Sequence, residues 1–356
     1  MYIIFAILLF GILIFVHELG HFLAARIFGV GVNEFAIGMG PKLLKKQGKN
    51  TLYSLRAIPF GGFCEMVGED EEVDSEDSFS SKAGWQKVVI LVAGVTMNFI
   101  MGFLILLIVY FSMFSGPNDE ANSTTLDGFM EDFPLEGEDG LMVGDTIHEI
   151  NGERVYYNSN FSLLMSLNTK DTVDMVVIRD GEKVELDDLP LQMREYESGG
   201  KTQLKYGLIF KTQKMTTLDK IQYAWYGTLD FARQVKLSLQ MLINGQASAG
   251  DLMGVVGLVD TINDVGNESS SFSAAVINIL YIGALISVNL ALMNLLPIPG
   301  LDGGRLFLML VSWLYLKITR RQLNPKFEGY VNMAGLVLLI ALMAFVMFND
   351  IVRIVS

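Results

Sequence analysis

Residues 2–21 read YIIFAILLFGILIFVHELGH, an apolar, uncharged run that leads directly into two histidines and a glutamate. A helix needs about 20 mostly apolar residues to cross roughly 30 Å of hydrocarbon. The run has no basic segment before it and no small-residue cleavage site after it, so it does not have the pattern of a signal peptide. We therefore predict a retained membrane-spanning helix that contains His17, Glu18 and His21.

The motif His17-Glu18-Leu19-Gly20-His21 has the spacing of a metal site. Residues four apart share one face of a helix, so both imidazoles can bind one metal ion. Glu18 then lies beside the open coordination position, where it can take a proton from a water activated by the metal. Only three histidines occur in the chain, and two of them form this motif. Because an ionisable side chain in an apolar helix is costly, the pattern favours a hydrolytic metal site over a chance arrangement.

The composition is typical of a membrane protein. Hydrophobic residues make up 51% of the 356 residues and charged residues only 18%, whereas soluble proteins have about a quarter charged residues. The net charge of −13 argues against a nucleic-acid partner. Acidic stretches at 65–77 and 119–197 are interpreted as solvated surface. The single cysteine, Cys64, excludes an intrachain disulfide.

Three further charge-poor stretches bring the predicted membrane spans to four: Val88–Met113, Phe272–Leu296 and the stretch between Glu328 and Asp350. Lysine and arginine concentrate in two of the connecting loops, which places both loops in the cytoplasm. The N-terminus and the long middle segment are then outside, and His17 lies in the cytoplasmic half of the membrane. The basic residues of these loops are Arg26, Lys42, Lys45, Lys46, Lys49, Arg56, Lys82, Lys87, Lys317, Arg320, Arg321 and Lys326.

The middle segment, residues 119–214, is predicted to be an inserted α+β domain. Its predicted elements are strands at Val143–Ile150 and Thr172–Arg179, a return strand through Val184 and Leu186, and a helix at Asn158–Leu167. Together they resemble a PDZ domain of the kind found in bacterial membrane proteases. The region 126–135 has no clear Gly-rich carboxylate-binding loop, so peptide capture by strand addition and a plain steric role both stay open.

The whole chain is thus predicted to be a multi-pass α-helical membrane protein with this inserted domain and a membrane-associated β-hairpin. An amphipathic helix on the outer membrane face is predicted between the inserted domain and the third span. The predicted segments are a first membrane part at 1–118, the inserted domain at 119–214, the amphipathic segment at 215–271 and a second membrane part at 272–356.

A third protein ligand must complete the metal site. An extended histidine motif would need a histidine at position 27, but that residue is Ile27, and His148 falls on a predicted surface strand of the inserted domain. Asp302 is the better candidate because the chain is uncharged from Ala274 to Leu301. Prolines and glycines around it break the helix, and broken backbone at membrane depth is tolerated only where it is buried or lines a cavity.

These motifs together resemble the site-2 protease family. The resemblance rests on HExxH in the first span and on the late segment Asn294-Leu295-Leu296-Pro297-Ile298-Pro299-Gly300-Leu301-Asp302-Gly303. It covers nearly the whole chain, and the order of spans and inserted domain is similar to that of the bacterial regulators of sigma-factor signalling. The resemblance implies Zn²⁺ bound by His17, His21 and Asp302, with Glu18 as the catalytic base. It also implies that Asn294 holds the substrate backbone or the developing oxyanion.

Other segments fit the same family. Asn33–Pro41 resembles the strand-turn region after the first span, and Tyr53–Val67 resembles the membrane-dipping β-hairpin. An exposed edge of that hairpin would align an unwound substrate near the metal, although a purely structural hairpin is an equal alternative. Ala93–Asn98 resembles the second-span motif, in which we expect Asn98 to bond between helices. The family's proline before the third span is missing from Gly254-Val255-Val256-Gly257, which leaves the shape of this segment open.

The resemblance implies an intramembrane zinc endopeptidase of the cell membrane that cuts single-span membrane proteins, such as an anti-sigma factor or a remnant signal peptide. The outer domain would exclude substrates with bulky external domains until a site-1-type protease has trimmed them. Two alternatives are a zinc transporter and a non-catalytic PDZ scaffold. Transporters usually contain internal repeats, which are not seen here, and a scaffold has no reason to keep costly polar groups in lipid.

Overall fold

The computed structural model describes residues 1–69, 73–116, 119–198, 201–245, 253–321 and 325–355. The described chain forms two compact units, residues 1–109 with 227–356 and residues 110–226. Its helices are α1 (Tyr2–Ile27), α2 (Gly84–Met113), α3 (Asn158–Ser166), α4 (Thr217–Ile243), α5 (Val255–Glu268), α6 (Phe272–Asn294), α7 (Asp302–Thr319) and α8 (Pro325–Val355).

Four of these helices are long and apolar enough to cross a membrane. They are α1, α2, α6 and the part of α8 from Gly329 to Arg353, which confirms the four predicted spans. The shortest, α6, has 23 residues and is about 35 Å long at 1.5 Å per residue. The described structure is therefore that of a multi-pass membrane protein that also contains β-sheets.

The connection between the third and fourth spans differs from the prediction. The sequence was interpreted as a loop there, but residues 302–319 form the helix α7. Leu306 and Met309 on α7 pack against a hydrophobic core that includes Ala25, Phe35 and Ile90. Burial of this apolar side stabilises the helix. The basic residues near the end of the segment led to the loop prediction, because a count of charges does not show the apolar side. Residues 322–324 and the side chain of Lys326, also assigned to the loop, lie outside the described residues.

A β-hairpin region follows the first span. Its two strands, β1 (Val32–Gln47) and β2 (Leu52–Met66), pair with each other. The segment 53–67, predicted to be a complete hairpin, is therefore one strand, β2, followed by a turn at Val67. Residues 34–37 of β1 lie opposite residues 62–65 of β2 and also opposite residues 52–55.

Both strands must bend to make this double pairing. Gly38, Gly40 and Gly61 supply the bends, with φ of +84°, +83° and +89°, a region that glycine adopts without steric cost. These glycine bends allow residues 52–55 and 62–65 of β2 to pair with opposite sides of residues 34–37 of β1.

The hairpin, α1 and α2 share one hydrophobic core. Val30, Val32 and Met66 are almost fully buried beside Ala25 of α1 and Ile90 of α2. The aromatic rings of Phe22 and Phe35 add to the same core, with their centroids 5.2 Å apart. The C-terminal half of α1, which contains the histidine motif, is thereby held rigidly between a strand and a second helix.

The second compact unit contains most of the remaining β-structure. Its strands are β3 (Glu120–Phe129), β4 (Thr146–Ile150), β5 (Glu153–Arg154), β6 (Val173–Arg179), β7 (Glu182–Leu189), β8 (Arg194–Ser198), β9 (Lys201–Lys205) and β10 (Leu208–Lys214). The order β10-β3-β4-β6-β7 forms the main sheet, β5 pairs with β4, and β8 with β9 forms a separate hairpin. A core that includes Leu126, Ile147, Phe161 and Val177 lies between this sheet and α3.

Two details of this unit differ from the sequence predictions. Residues 143–145 form a turn in which Gly144 has φ of +96°, so β4 begins three residues later than predicted. The turn is held by Asp145, which pairs with Arg179 at 2.8 Å. His148 lies on a strand, β4, as predicted, but it is half-buried rather than fully on the surface, and Arg154 Nη1 lies 3.0 Å from its Nε2. Residue 118, at the predicted domain boundary, and residues 246–252, in the predicted amphipathic segment, lie outside the described residues.

Candidate metal centre

The two histidines of the α1 motif face the same point. His17 is 9% exposed and His21 is 5% exposed, and their Nε2 atoms are 3.3 Å apart. Their rings are nearly perpendicular, with an interplanar angle of 85°. The i,i+4 spacing on a helix thus produces the shared face that the sequence predicted.

Asp302 reaches the same point from a distant part of the chain. Its Oδ2 atom lies 3.2 Å from His17 Nε2 and 3.2 Å from His21 Nε2. α6 ends at Asn294, and the Pro- and Gly-containing segment that follows turns back before α7 begins at Asp302. A Cβ added at Gly303 would overlap the Leu295 carbonyl, so this tight return requires glycine.

These three atoms fit a zinc ion. Ligands about 2.0–2.1 Å from zinc in tetrahedral geometry lie roughly 3.3 Å from one another, and the observed separations are 3.2, 3.2 and 3.3 Å. Asp302 Oδ2 is buried and has no hydrogen-bond partner of acceptable geometry among the described residues. Among those residues, His17, His21 and Asp302 are also the one group of three or more potential metal ligands of the His, Cys, Asp and Glu types.

Helix α2 orients the histidines. The carbonyl oxygen of Ile90 accepts a hydrogen bond from His21 Nδ1 at 2.9 Å, which leaves the Nε2 lone pair available for a metal. Gly94, one turn further along α2, lies against both imidazoles, and a Cβ there would be 2.7 Å from His21 Cε1 and 2.9 Å from His17 Cε1. Sequence reasoning assigned no role to Ile90 or Gly94, although Gly94 lies in the quoted second-span motif.

Glu18 lies at the junction of two cavities. One, of about 390 Å³, is lined by both histidines, Asp302, residues 63–66 of β2 and the polar residues Glu69 and Arg305. Glu18 also lines this cavity, and the backbone N–H of Cys64 faces the Glu18 carboxylate. Its side chain is therefore next to the candidate metal point without being part of the ligand triangle.

The 390 Å³ cavity has a polar rim that sequence reasoning did not identify. Arg305, one turn after Asp302 on α7, forms an ion pair with Glu69 at the end of the hairpin region. The spacing of three residues from Asp302 to Arg305 was the available signal. Cys64 also lines this cavity, but burial raises the pKa of its thiol to about 12, so the thiol stays protonated at neutral pH.

Asn294 lines the second cavity, of about 240 Å³, together with His17, Glu18 and Asp302. Its Nδ2 atom lies 3.5 Å from His17 Nε2, at the edge of the ligand triangle. His148 is not part of either cavity. It belongs to the sheet of the 110–226 unit, where Arg154 and Glu149 lie beside it.

Asn98 on α2 differs from its predicted role. The interhelical hydrogen bond at this position runs from Ser287 Oγ to the backbone carbonyl of Asn98, at 2.7 Å. The side-chain Oδ1 of Asn98 is buried and has no partner among the described residues. The amide also lines the 240 Å³ cavity.

The sequence profile of Peptidase family M50 matches residues 5–342, which is nearly the whole chain. The chain belongs to peptidase family M50. This is the site-2 protease family, so the resemblance stated from the motifs is confirmed.

Curated proteins align with the chain from end to end. A predicted zinc metalloprotease from Clostridium acetobutylicum is 35% identical over 351 residues, which cover 98% of this chain and 97% of that protein. A second, from Clostridium perfringens, is 33% identical over 354 residues, or 99% of each chain. The Regulator of sigma-W protease RasP from Bacillus subtilis is 28% identical, with 98% of this chain and 97% of that protein covered.

Membership of family M50 makes this protein a zinc-dependent membrane metalloprotease. Zinc was the predicted cofactor, and the ligand triangle has the dimensions that zinc requires. The transporter and scaffold alternatives are set aside, because the family and its named members are proteases.

Proposed function

We propose that this M50 metalloprotease hydrolyses peptide bonds of single-span membrane proteins within or near their membrane segment. The observation that carries the proposal is the position of the ligand triangle. His17 and His21 lie inside α1, a candidate membrane span, and Asp302 follows directly on the candidate span α6. A substrate that reaches these residues must itself lie in or beside the membrane.

In this proposal His17, His21 and Asp302 hold the zinc ion. Zinc, when bound, polarises the scissile carbonyl and makes a water molecule more acidic. Glu18 takes a proton from the attacking water and delivers it to the leaving amine. Asn294, at the edge of the triangle, holds the substrate backbone or the oxyanion that develops on the scissile carbonyl.

The two cavities give substrate and water separate places beside Glu18. The 240 Å³ cavity is bounded by the apolar Ile14 and Leu290 and suits a segment that has come from lipid. The 390 Å³ cavity, with Glu69 and Arg305 on its rim, is polar enough to hold water. Residues 61–62 of β2 line the smaller cavity and residues 63–66 line the larger one. The backbone of this strand supports the proposal that an unwound substrate pairs with it.

The arrangement of loops supports the proposed orientation. Lysine and arginine cluster between the first and second spans and between the third and fourth, so we place those connections in the cytoplasm. The N-terminus and the segment 119–214 are then outside the cell membrane, with the catalytic residues in its cytoplasmic half. We retain the proposed segments 1–118, 119–214, 215–271 and 272–356 on the same basis.

We propose that residues 119–214 act as a PDZ-like filter outside the membrane. The sheet of β3, β4, β6, β7 and β10, with α3 packed on it, supports a compact body that a bulky external domain could not pass. Cleavage would then wait until a site-1-type protease has removed that domain. The name of the Bacillus subtilis relative supports a regulatory substrate such as an anti-sigma factor, and a remnant signal peptide has the same single-span chemistry.

Cleavage of a single-span substrate in reconstituted vesicles tests the proposal. We expect wild type to cut within or near the membrane segment, and Glu18→Gln to lower the rate about 100- to 10,000-fold because the general base is lost. Zinc content should stay at the wild-type level, since Glu18 is outside the ligand triangle. Glu268→Gln, the same change at an exposed site on α5, is the matched control. If Glu18→Gln cleaved the substrate at the wild-type rate, the assignment of Glu18 as the base would be wrong.

A further inference from the structure

One face of α2 is directed at the candidate metal centre. Ile90, Gly94 and Asn98 are spaced four residues apart and therefore share a helix face. The first accepts the hydrogen bond from His21, and the second lies against both imidazoles. Asn98 is the next position on this face, and its side chain lines the 240 Å³ cavity with Glu18 and His17.

The buried side-chain oxygen of Asn98 is not used by the packing of the helices among the described residues. The residue is 1% exposed, and its Oδ1 has no hydrogen-bond partner among the described residues. Ser287, which faces it from α6, donates to the Asn98 backbone carbonyl instead. A buried polar atom without a partner is costly, so a side-chain oxygen kept at this position implies a partner in the working state.

An unwound substrate supplies such a partner. A helix that opens beside the zinc exposes backbone N–H and C=O groups, and in the membrane interior those groups have no water to bond. The cavity offers two amides for them, Asn98 from α2 and Asn294 from α6, with Gly61 and Gly62 of β2 close by. An asparagine amide both donates and accepts, so it matches a peptide group in either orientation.

We propose that Asn98 is a substrate-binding residue whose side-chain amide hydrogen-bonds the backbone of the unwound substrate segment next to the scissile bond. This inference rests on the proposed function, in which the cavity holds a peptide. It assigns α2 a direct role in recognition, in addition to orienting the histidines.

The variants Asn98→Leu and Asn98→Gln separate this role from a structural one. Leucine preserves the size of the side chain and removes its hydrogen bonds, whereas glutamine keeps the amide. Asn278→Leu is the matched control, because Asn278 also lies on a candidate span but is in contact with Ser269 outside both cavities. Zinc content of every variant reports whether the site has folded.

The decisive measurement uses substrates in which one backbone N–H near the scissile bond is replaced by an ester oxygen. We expect Asn98→Leu to lower kcat/KM about 10- to 100-fold with zinc retained, and Asn98→Gln to recover part of that loss. At one position the ester should slow wild type by a similar factor and have little further effect in Asn98→Leu. Two groups that share a hydrogen bond are non-additive in this way.

A second arm measures binding of the same substrates to the non-cleaving Glu18→Gln protein, with and without Asn98→Leu. If wild type binds the substrate and does not cut it, the proposed function fails while this arm still decides the role of Asn98. The proposal is supported if Asn98→Leu weakens binding of the amide substrate but does not further weaken binding of the ester substrate. Unchanged binding and kinetics at retained zinc, or purely additive ester effects, would overturn it, as would an equal loss in Asn278→Leu.

Discussion

At the scale of single residues, the site depends on three side chains whose nitrogen and oxygen atoms lie 3.2–3.3 Å apart. Two imidazole lone pairs and a carboxylate oxygen directed at one point repel one another at such distances unless a cation lies between them. Their close packing is therefore an argument for zinc that is independent of the motif. It also makes each ligand essential, since two remaining ligands leave the site incomplete.

Removal of a single ligand tests the triangle. We expect Asp302→Ala and His21→Ala each to lower the zinc content of the purified protein at least about 10-fold, because a ligand matters at least as much as its supporting hydrogen bonds. His148→Ala, which removes the third histidine of the chain, should leave zinc unchanged. Zinc retained in Asp302→Ala would show that a different residue is the third ligand.

Glu34 is a second residue whose environment makes a sharp prediction. Its carboxylate accepts hydrogen bonds from Lys42, Ser54 and Arg56 at 2.8, 2.6 and 2.8 Å. Burial alone would raise the pKa of Glu34, but these three donors together lower it to about 2. The folded pKa is below the model-compound value of 4.5, so the charged carboxylate stabilises the fold above pH 4.5, and this contribution is lost as pH falls towards 2.

Glu34→Gln should consequently destabilise the hairpin region by about 1–3 kcal/mol at pH 7 and flatten the pH dependence of unfolding between pH 4.5 and about 2. Thermal unfolding in detergent across this range measures both effects. Glu65→Gln is the control, because Glu65 lies opposite Glu34 in the hairpin but is exposed, and among the described residues its carboxylate accepts one weak hydrogen bond, from Asn33 at 3.4 Å. Equal pH profiles for Glu34→Gln and wild type would contradict the prediction.

At the scale of elements, close helix packing determines where the imidazoles point. α1 approaches α2 at Gly20, where an added Cβ would overlap the Ala93 carbonyl, and α2 approaches the histidines at Gly94. Small residues of this kind let spanning helices come close together in a membrane. The metal site is thus made by the contact between two helices as much as by the motif on one of them.

Gly94→Ala tests this contact. The added methyl would lie 2.7 Å from His21 Cε1, so an imidazole must move and we expect both zinc content and cleavage to fall about 10-fold or more. The overpacking should also cost about 1–3 kcal/mol of stability. Gly84→Ala on the same helix is the control, since nothing lies within 4 Å of its added Cβ. A normal zinc content in Gly94→Ala would mean that α2 does not constrain the histidines.

At the scale of the whole molecule, the 110–226 unit adds a compact β-domain to a membrane protease. We expect a protein without residues 119–214 to cut substrates that still have a bulky external domain, which wild type leaves intact. Already trimmed substrates should be cut at similar rates by both proteins, and that comparison serves as the control for folding. If the truncated protein still rejects untrimmed substrates, this domain is not the filter.

Much of this architecture is readable from the chain because it follows from local rules. Apolar runs of more than 20 residues predict spans, and the i,i+4 spacing of His17 and His21 predicts a shared metal face, since both depend only on helix geometry and the cost of polar groups in lipid. Asp302 was recognisable as an isolated charge in a broken segment. The bent double pairing of the hairpin and the helix α7 were not, because they depend on what packs against them.

The remaining features depend on residues far apart in sequence. The roles of the Ile90 carbonyl, Gly94 and the Asn98 side-chain oxygen, which has no partner among the described residues, depend on the packing of α2 against α1. In sequence, 69 positions separate Ile90 from His21. A local sequence pattern shows which polar residues are costly to bury in a membrane. Contacts between distant segments determine which partners offset that cost. The motifs therefore predicted which residues could be ligands. Tertiary packing determined the orientation of those ligands, the cavities beside them and the polar groups around them.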